Sequence, residues 1–82
     1  MIVKLPANAS IDLYATTGIT VGNVISITNV TESDVKVYES DSGDYLMLSN
    51  NGDIAMTQYG VTGTYAFCMS PGAVQVEELT SV

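Results

Sequence analysis

Asp41-Ser42-Gly43-Asp44 and Asn50-Asn51-Gly52-Asp53 are the segments whose residue types come nearest to a chemical site. Both look like fragments of a calcium loop. A complete loop alternates oxygen ligands, bends at a glycine and ends on a bidentate glutamate. Neither segment keeps that order in register. Aspartate and asparagine also favour turns, because they tolerate the left-handed region and bond their own backbone. The nine carboxylates invite a second chemistry, the paired acid and base of glycoside hydrolysis. They fall in turns or on outward strand positions, which reads as a solvated surface. A third candidate is Cys68, between Phe67 and Met69. A nucleophilic thiolate needs a neighbouring base or cation. The chain has no histidine, and its two cations are Lys4 and Lys36. The thiol therefore reads as buried and structural. No catalytic, cofactor-binding or metal-binding residue is assigned. The chain is expected not to be an enzyme and to hold no cofactor.

Two further groups bear on modification and contact. Asn8-Ala9-Ser10 and Asn29-Val30-Thr31 match the glycosylation sequon, a triplet common by chance in a Ser/Thr-rich chain. The five tyrosines are more informative. Tyrosine gives a large contact area with few rotors. Tyr14 and Tyr38 alternate with apolar neighbours and are expected to point outward from two strands. Tyr59 precedes a glycine in a loop, and Leu79 lies near the apolar end of the chain. Tyr14, Tyr38, Tyr59 and Leu79 are the candidate assembly contacts. The bland alternative is cross-strand pairing on a solvated face.

The elements that must position these residues are strands. Val, Ile and Thr are abundant and favour the pleated sheet. No long apolar stripe at helical spacing survives without a glycine, a proline or a β-branched cluster. Period-2 alternation recurs instead. Ile11, Leu13 and Ala15 share one face, as do Ile25 and Ile27, Val35 and Val37, and Val74 and Val76. Tyr45 to Ser49 is apolar on both faces and reads as a buried strand. Tyr65, Phe67 and Met69 share one face, Ala66 and Cys68 the other. Asn51-Gly52 predicts a type I′ hairpin between Tyr45–Ser49 and Asp53–Met56. The expectation is one domain over residues 1–82, all-β, a small antiparallel β-sandwich or flattened barrel of about seven strands. Its predicted core is Ile11, Leu13, Ile25, Ile27, Val35, Val37, Met47, Ile54, Phe67 and Val74. Truncating Phe67 there is expected to cost about 3–5 kcal/mol.

Charge narrows the partners. A net charge of −7 disfavours nucleic acid and anionic membrane surfaces, which need lysine and arginine. No apolar run approaches a spanning helix, and the first residues lack a signal-peptide apolar region, so synthesis in the cytoplasm is expected. With 82 residues and one cysteine, the core is thin and no internal disulfide supplements it. Self-association is the remaining supplement.

The order of segments resembles a class of small bacteriophage virion proteins, the head-decoration and head- or tail-fibre accessory domains. The resemblance runs through Val24-Ile25-Ser26-Ile27-Thr28-Asn29-Val30, then Asp34-Val35-Lys36-Val37-Tyr38, then Asp44-Tyr45-Leu46-Met47-Leu48. It ends on Gly63-Thr64-Tyr65-Ala66-Phe67-Cys68-Met69-Ser70-Pro71-Gly72-Ala73-Val74-Gln75-Val76-Glu77-Glu78-Leu79. The chain departs from it at Asn50-Asn51-Gly52, where a Pro-Gly turn is more usual. The resemblance implies a non-enzymatic β-sandwich that decorates or stabilises a capsid or the head–tail and fibre region. It also implies a homotrimer, capsid, neck or fibre proteins as partners, and a place in the virion after synthesis in the host cytoplasm. The alternative is a carbohydrate- or host-surface-binding sandwich, which would need an aromatic platform. An acidic mimic of nucleic acid ranks third, because Glu77-Glu78 is the only adjacent acidic pair.

Overall fold

Alternating burial turns the period-2 sequence into strands with one face inward. The computed structural model describes residues 1–39, 43–56 and 63–80. Its elements are β1 (Ile2–Leu5), β2 (Ser10–Asp12), α1 (Leu13–Thr17), β3 (Val24–Asn29), β4 (Val35–Glu39), β5 (Asp44–Leu48), β6 (Asp53–Met56), β7 (Thr64–Cys68) and β8 (Gly72–Thr80). They form two antiparallel sheets of four strands, a small β-sandwich. The first runs β1-β8-β3-β6 and the second β2-β7-β4-β5. Val3, Leu5, Ile25, Ile27, Val74 and Val76 of the first sheet meet Val35, Val37, Leu48, Ala66 and Cys68 of the second in one core. Ile11 and Ile54 pack at its margin. No described helix is long and apolar enough to cross a membrane.

Three expectations are corrected by local chemistry. The strand through Ile11, Leu13 and Ala15 stops at Asp12. There the Asp12 carboxylate accepts from the Ala15 amide at 3.0 Å and caps α1. Gly18, at φ 77°, ends the helix, and its amide donates to the Tyr14 carbonyl at 2.9 Å. The Asn51-Gly52 hairpin is instead a crossover between sheets, since β5 pairs with β4 while β6 pairs with β3. A type I′ turn needs positive φ at both central residues, and only Asn51, at 64°, has it. Lastly, the segment Tyr45 to Ser49 is not buried on both faces, and only Leu48 in it is buried. β5 is the edge of its sheet, with Tyr45, Leu46 and Met47 exposed.

Asn29 holds the crossover. Its fully buried Nδ2 donates to the carbonyls of Leu48 and Ser33, both at 2.8 Å. Its Oδ1 accepts from the amide and hydroxyl of Thr31 at 2.9 and 2.8 Å. Its main chain exchanges bonds with Asn51 and Gly52. The asparagine of the second sequon is thus an internal tie, with no free amide to modify in the folded chain, whereas Asn8 of the first is exposed.

Candidate functional site

The second sheet has an unusual outer face. Cross-strand register aligns Asp12, Tyr65, Tyr38 and Tyr45 in one row. It aligns Ser10, Phe67, Lys36 and Met47 in the next. These residues alternate with the buried Val35, Val37, Ala66 and Cys68, so all eight point away from the core. The result is a continuous aromatic and apolar face with one cation near its centre. The outer face of the first sheet contrasts with it. There exposed Ile2 lies beside Gln75, Lys4 beside Ala73, Thr28 between Gln75 and Asp53, and Ser26 between Glu77 and Ala55, a mixed face with no aromatic ring among the described residues.

The aromatic face is grooved rather than flat. A cleft of about 370 Å³ is lined by Ser10, Lys36, Tyr38, Tyr45, Tyr65 and Phe67. A second, also about 370 Å³, lies across Lys36 and Phe67 toward Met47, Met69 and Ser70, with exposed Asp34 at its rim. The Lys36 ammonium sits 4.7 Å from the centroid of the Tyr45 ring. Attraction between a cation and the ring quadrupole is worth about 0.5–1 kcal/mol at an exposed site, enough to bias both side chains toward one arrangement. Asp12, at the end of the tyrosine row, is already engaged in capping α1. A Cβ on Gly63 would stand 2.6 Å from its Oδ2, so the chain passes this carboxylate closely. The arrangement offers contact area and a lone cation, which suits docking.

The sequence candidates land in different places. Tyr38 is on the aromatic face, 37% exposed. Tyr14 is not outward. Capping at Asp12 turns the chain into a helix, which places Tyr14 in the core, where its hydroxyl donates to the Asn23 carbonyl at 2.6 Å. Leu79 is exposed on β8, in the other sheet. Tyr59 lies outside the described residues. Two predicted core residues, Phe67 and Met47, belong to the outer face instead. The inward positions of β7 are the small Thr64, Ala66 and Cys68, the last two packed where Val35 and Val37 already fill the space. That rule of complementary size could have found the phase, and with it Tyr65, Phe67, Lys36, Tyr45 and Met47. Cys68 itself is buried and free, as read, its Sγ donating to the Asp34 carbonyl at 3.5 Å.

Among the described residues, no three of His, Cys, Asp or Glu gather into a group that could hold a metal ion. At the Asn50-Asn51-Gly52-Asp53 turn the Asn50 amide donates to the Thr31 carbonyl at 2.9 Å, and the Asn51 amide to Asn50 Oδ1 at 3.0 Å. Residues 41 and 42 of the other loop fragment lie outside the described residues. No protein-family model, curated protein or solved structure matches this chain.

Proposed function

We propose that the chain is a non-enzymatic structural domain of a bacteriophage virion, docked through the outer face of its second sheet. It decorates or stabilises the capsid or the head–tail and fibre region, beside copies of itself and other virion proteins. One observation carries the docking role, the gathering of Tyr38, Tyr45, Tyr65 and Phe67 on one outer face, while the other outer face has no aromatic residue among those described. Aromatic residues and methionine enrich the buried centres of protein interfaces, while acidic residues are depleted there. The virion context rests on the order of segments described above. The acidic remainder of the surface keeps a free subunit soluble before it docks.

Mass spectrometry of purified particles tests this directly. The chain is expected in stoichiometric amount, and Tyr38→Ser with Tyr45→Ser is expected to fold but fail to incorporate. Absence of the unmodified chain from particles overturns the proposal. The tyrosine row also favours the second reading, a sugar-binding platform, because a tyrosine ring can stack on a pyranose. Saturable binding of a glycan, abolished by Tyr38→Ser, would favour that reading over the first.

A further inference from the structure

Among the described residues the two sheets have four edge strands, and three of them are blunted. β1 carries exposed Lys4 and ends at Pro6. β2 is three residues long and runs directly into α1. β6 opens on exposed Asp53. Charge, proline and short length are the usual protections against pairing with another strand. β5 likewise opens on an exposed acid, Asp44, but where β6 keeps Ile54 and Met56 partly buried, β5 exposes three apolar residues in a row, Tyr45, Leu46 and Met47. Its side chains are apolar on both faces, with Tyr45 and Met47 each 57% exposed and Leu46 46% exposed. Leu46 has the phase of buried Leu48 and would be inward if the sheet continued past β5.

We propose that two copies of this chain pair through the free edges of β5, antiparallel and centred on Leu46, joining two second sheets across a two-fold axis. This rests on the reading of the chain as an assembly module and names its first partner. The register follows from charge and from apolar cover together. Centring on Leu46 sets Leu46 against its own counterpart and closes the exposed lip of each core. It sets Tyr45 of each copy opposite Met47 of the other. Asp44, the one charged residue of β5, then faces the partner's Leu48. The two Asp44 residues stand four positions apart along the strands, roughly 14 Å. That exceeds the screening length of about 8–10 Å at ordinary salt. A parallel pairing in register would put the two carboxylates side by side.

The same register makes the outer faces continuous. The row Tyr65, Tyr38, Tyr45 runs on into Met47, Lys36 and Phe67 of the second copy. An isologous contact of this kind closes a dimer, in place of the cyclic trimer that the family resemblance implies. A strand pair alone is smaller than a standard interface of about 1,600 Å², so the dimer is reversible.

Sedimentation of the full chain over a range of micromolar concentrations is expected to show a monomer–dimer equilibrium. Leu46→Lys, which sets two lysines together on the axis, is expected to give monomer with an unchanged circular dichroism spectrum. Leu46→Cys supplies a second readout that does not require the edge to be disrupted. Under mild oxidation it is expected to form a covalent dimer, while Asp44→Cys is expected to form none, because its thiols are too far apart. A monomer at every concentration overturns the proposal. So does a dimer that survives Leu46→Lys, or cross-linking of Asp44→Cys as readily as of Leu46→Cys. These readouts use no phage particle, so their failure leaves the virion reading standing. Absence from particles, conversely, leaves the dimer standing.

Discussion

Asn29 ties three segments of the chain together. One buried side chain joins the end of β3 to the end of β5 and to the segment between β3 and β4. The consequence is testable because the amide matters on both sides. Asn29→Asp replaces a donor of two hydrogen bonds by an oxygen facing the Leu48 and Ser33 carbonyls. An unpaired buried charge of this kind is expected to cost at least about 3 kcal/mol, a large fraction of the stability of so small a domain. Urea denaturation measures it, and a change within error would remove Asn29 from this role. Tyr14 is a milder case. Tyr14→Phe loses the bond to the Asn23 carbonyl, at an expected cost of about 1–2 kcal/mol in the same assay. Neither role was legible in the sequence. A sequon and an alternating tyrosine describe residue types, whereas the partners of these side chains come from segments that only the fold brings together.

Strand alternation was legible at the scale of elements, and strand phase was not. The segments through Ile25 and Ile27, Val35 and Val37, and Val74 and Val76 place those residues inward, as their alternation predicts. In β7 either face reads as apolar, and the larger side chains turned out to be the outer ones. Ile27→Ala is therefore expected to cost about 2–5 kcal/mol, since it empties a fully buried site. Phe67→Ala is expected to cost only about 1 kcal/mol, the scale of a cross-strand pair on a half-exposed face. Equal losses in melting experiments would mean that Phe67 is core after all. The short helix had a signal that strand periodicity masked, an aspartate six residues before a glycine. Asp12→Ala should cost about 1 kcal/mol through the lost cap. Gly18→Ala should cost about 1–2 kcal/mol by backbone conformation alone, since its added methyl meets nothing within 4 Å.

For the molecule as a whole, periodicity and turn residues come close to the number of strands, about seven expected against the eight described, but do not give their neighbours. β1 pairs with β8, from the opposite end of the sequence, and β7 lies between β2 and β4. These pairings follow from closing two sheets over a shared core, which no short window of sequence encodes. The aromatic face is a product of that closure, assembled from β2, β4, β5 and β7. Its setting is a chain of net charge −7, and this fixes how association should respond to salt. Two copies meeting through β5 bring two such charges together, while the contact itself is main-chain and apolar. Added salt shortens the range of the repulsion and leaves the contact intact. Dimer affinity is therefore expected to rise several-fold from low to physiological ionic strength. A contact held by Lys36 against carboxylates of the partner would respond in the opposite sense. Sedimentation at fixed protein concentration across a salt series distinguishes the two, and affinity that falls as salt rises would assign the interface to Lys36 rather than to the apolar edge of β5.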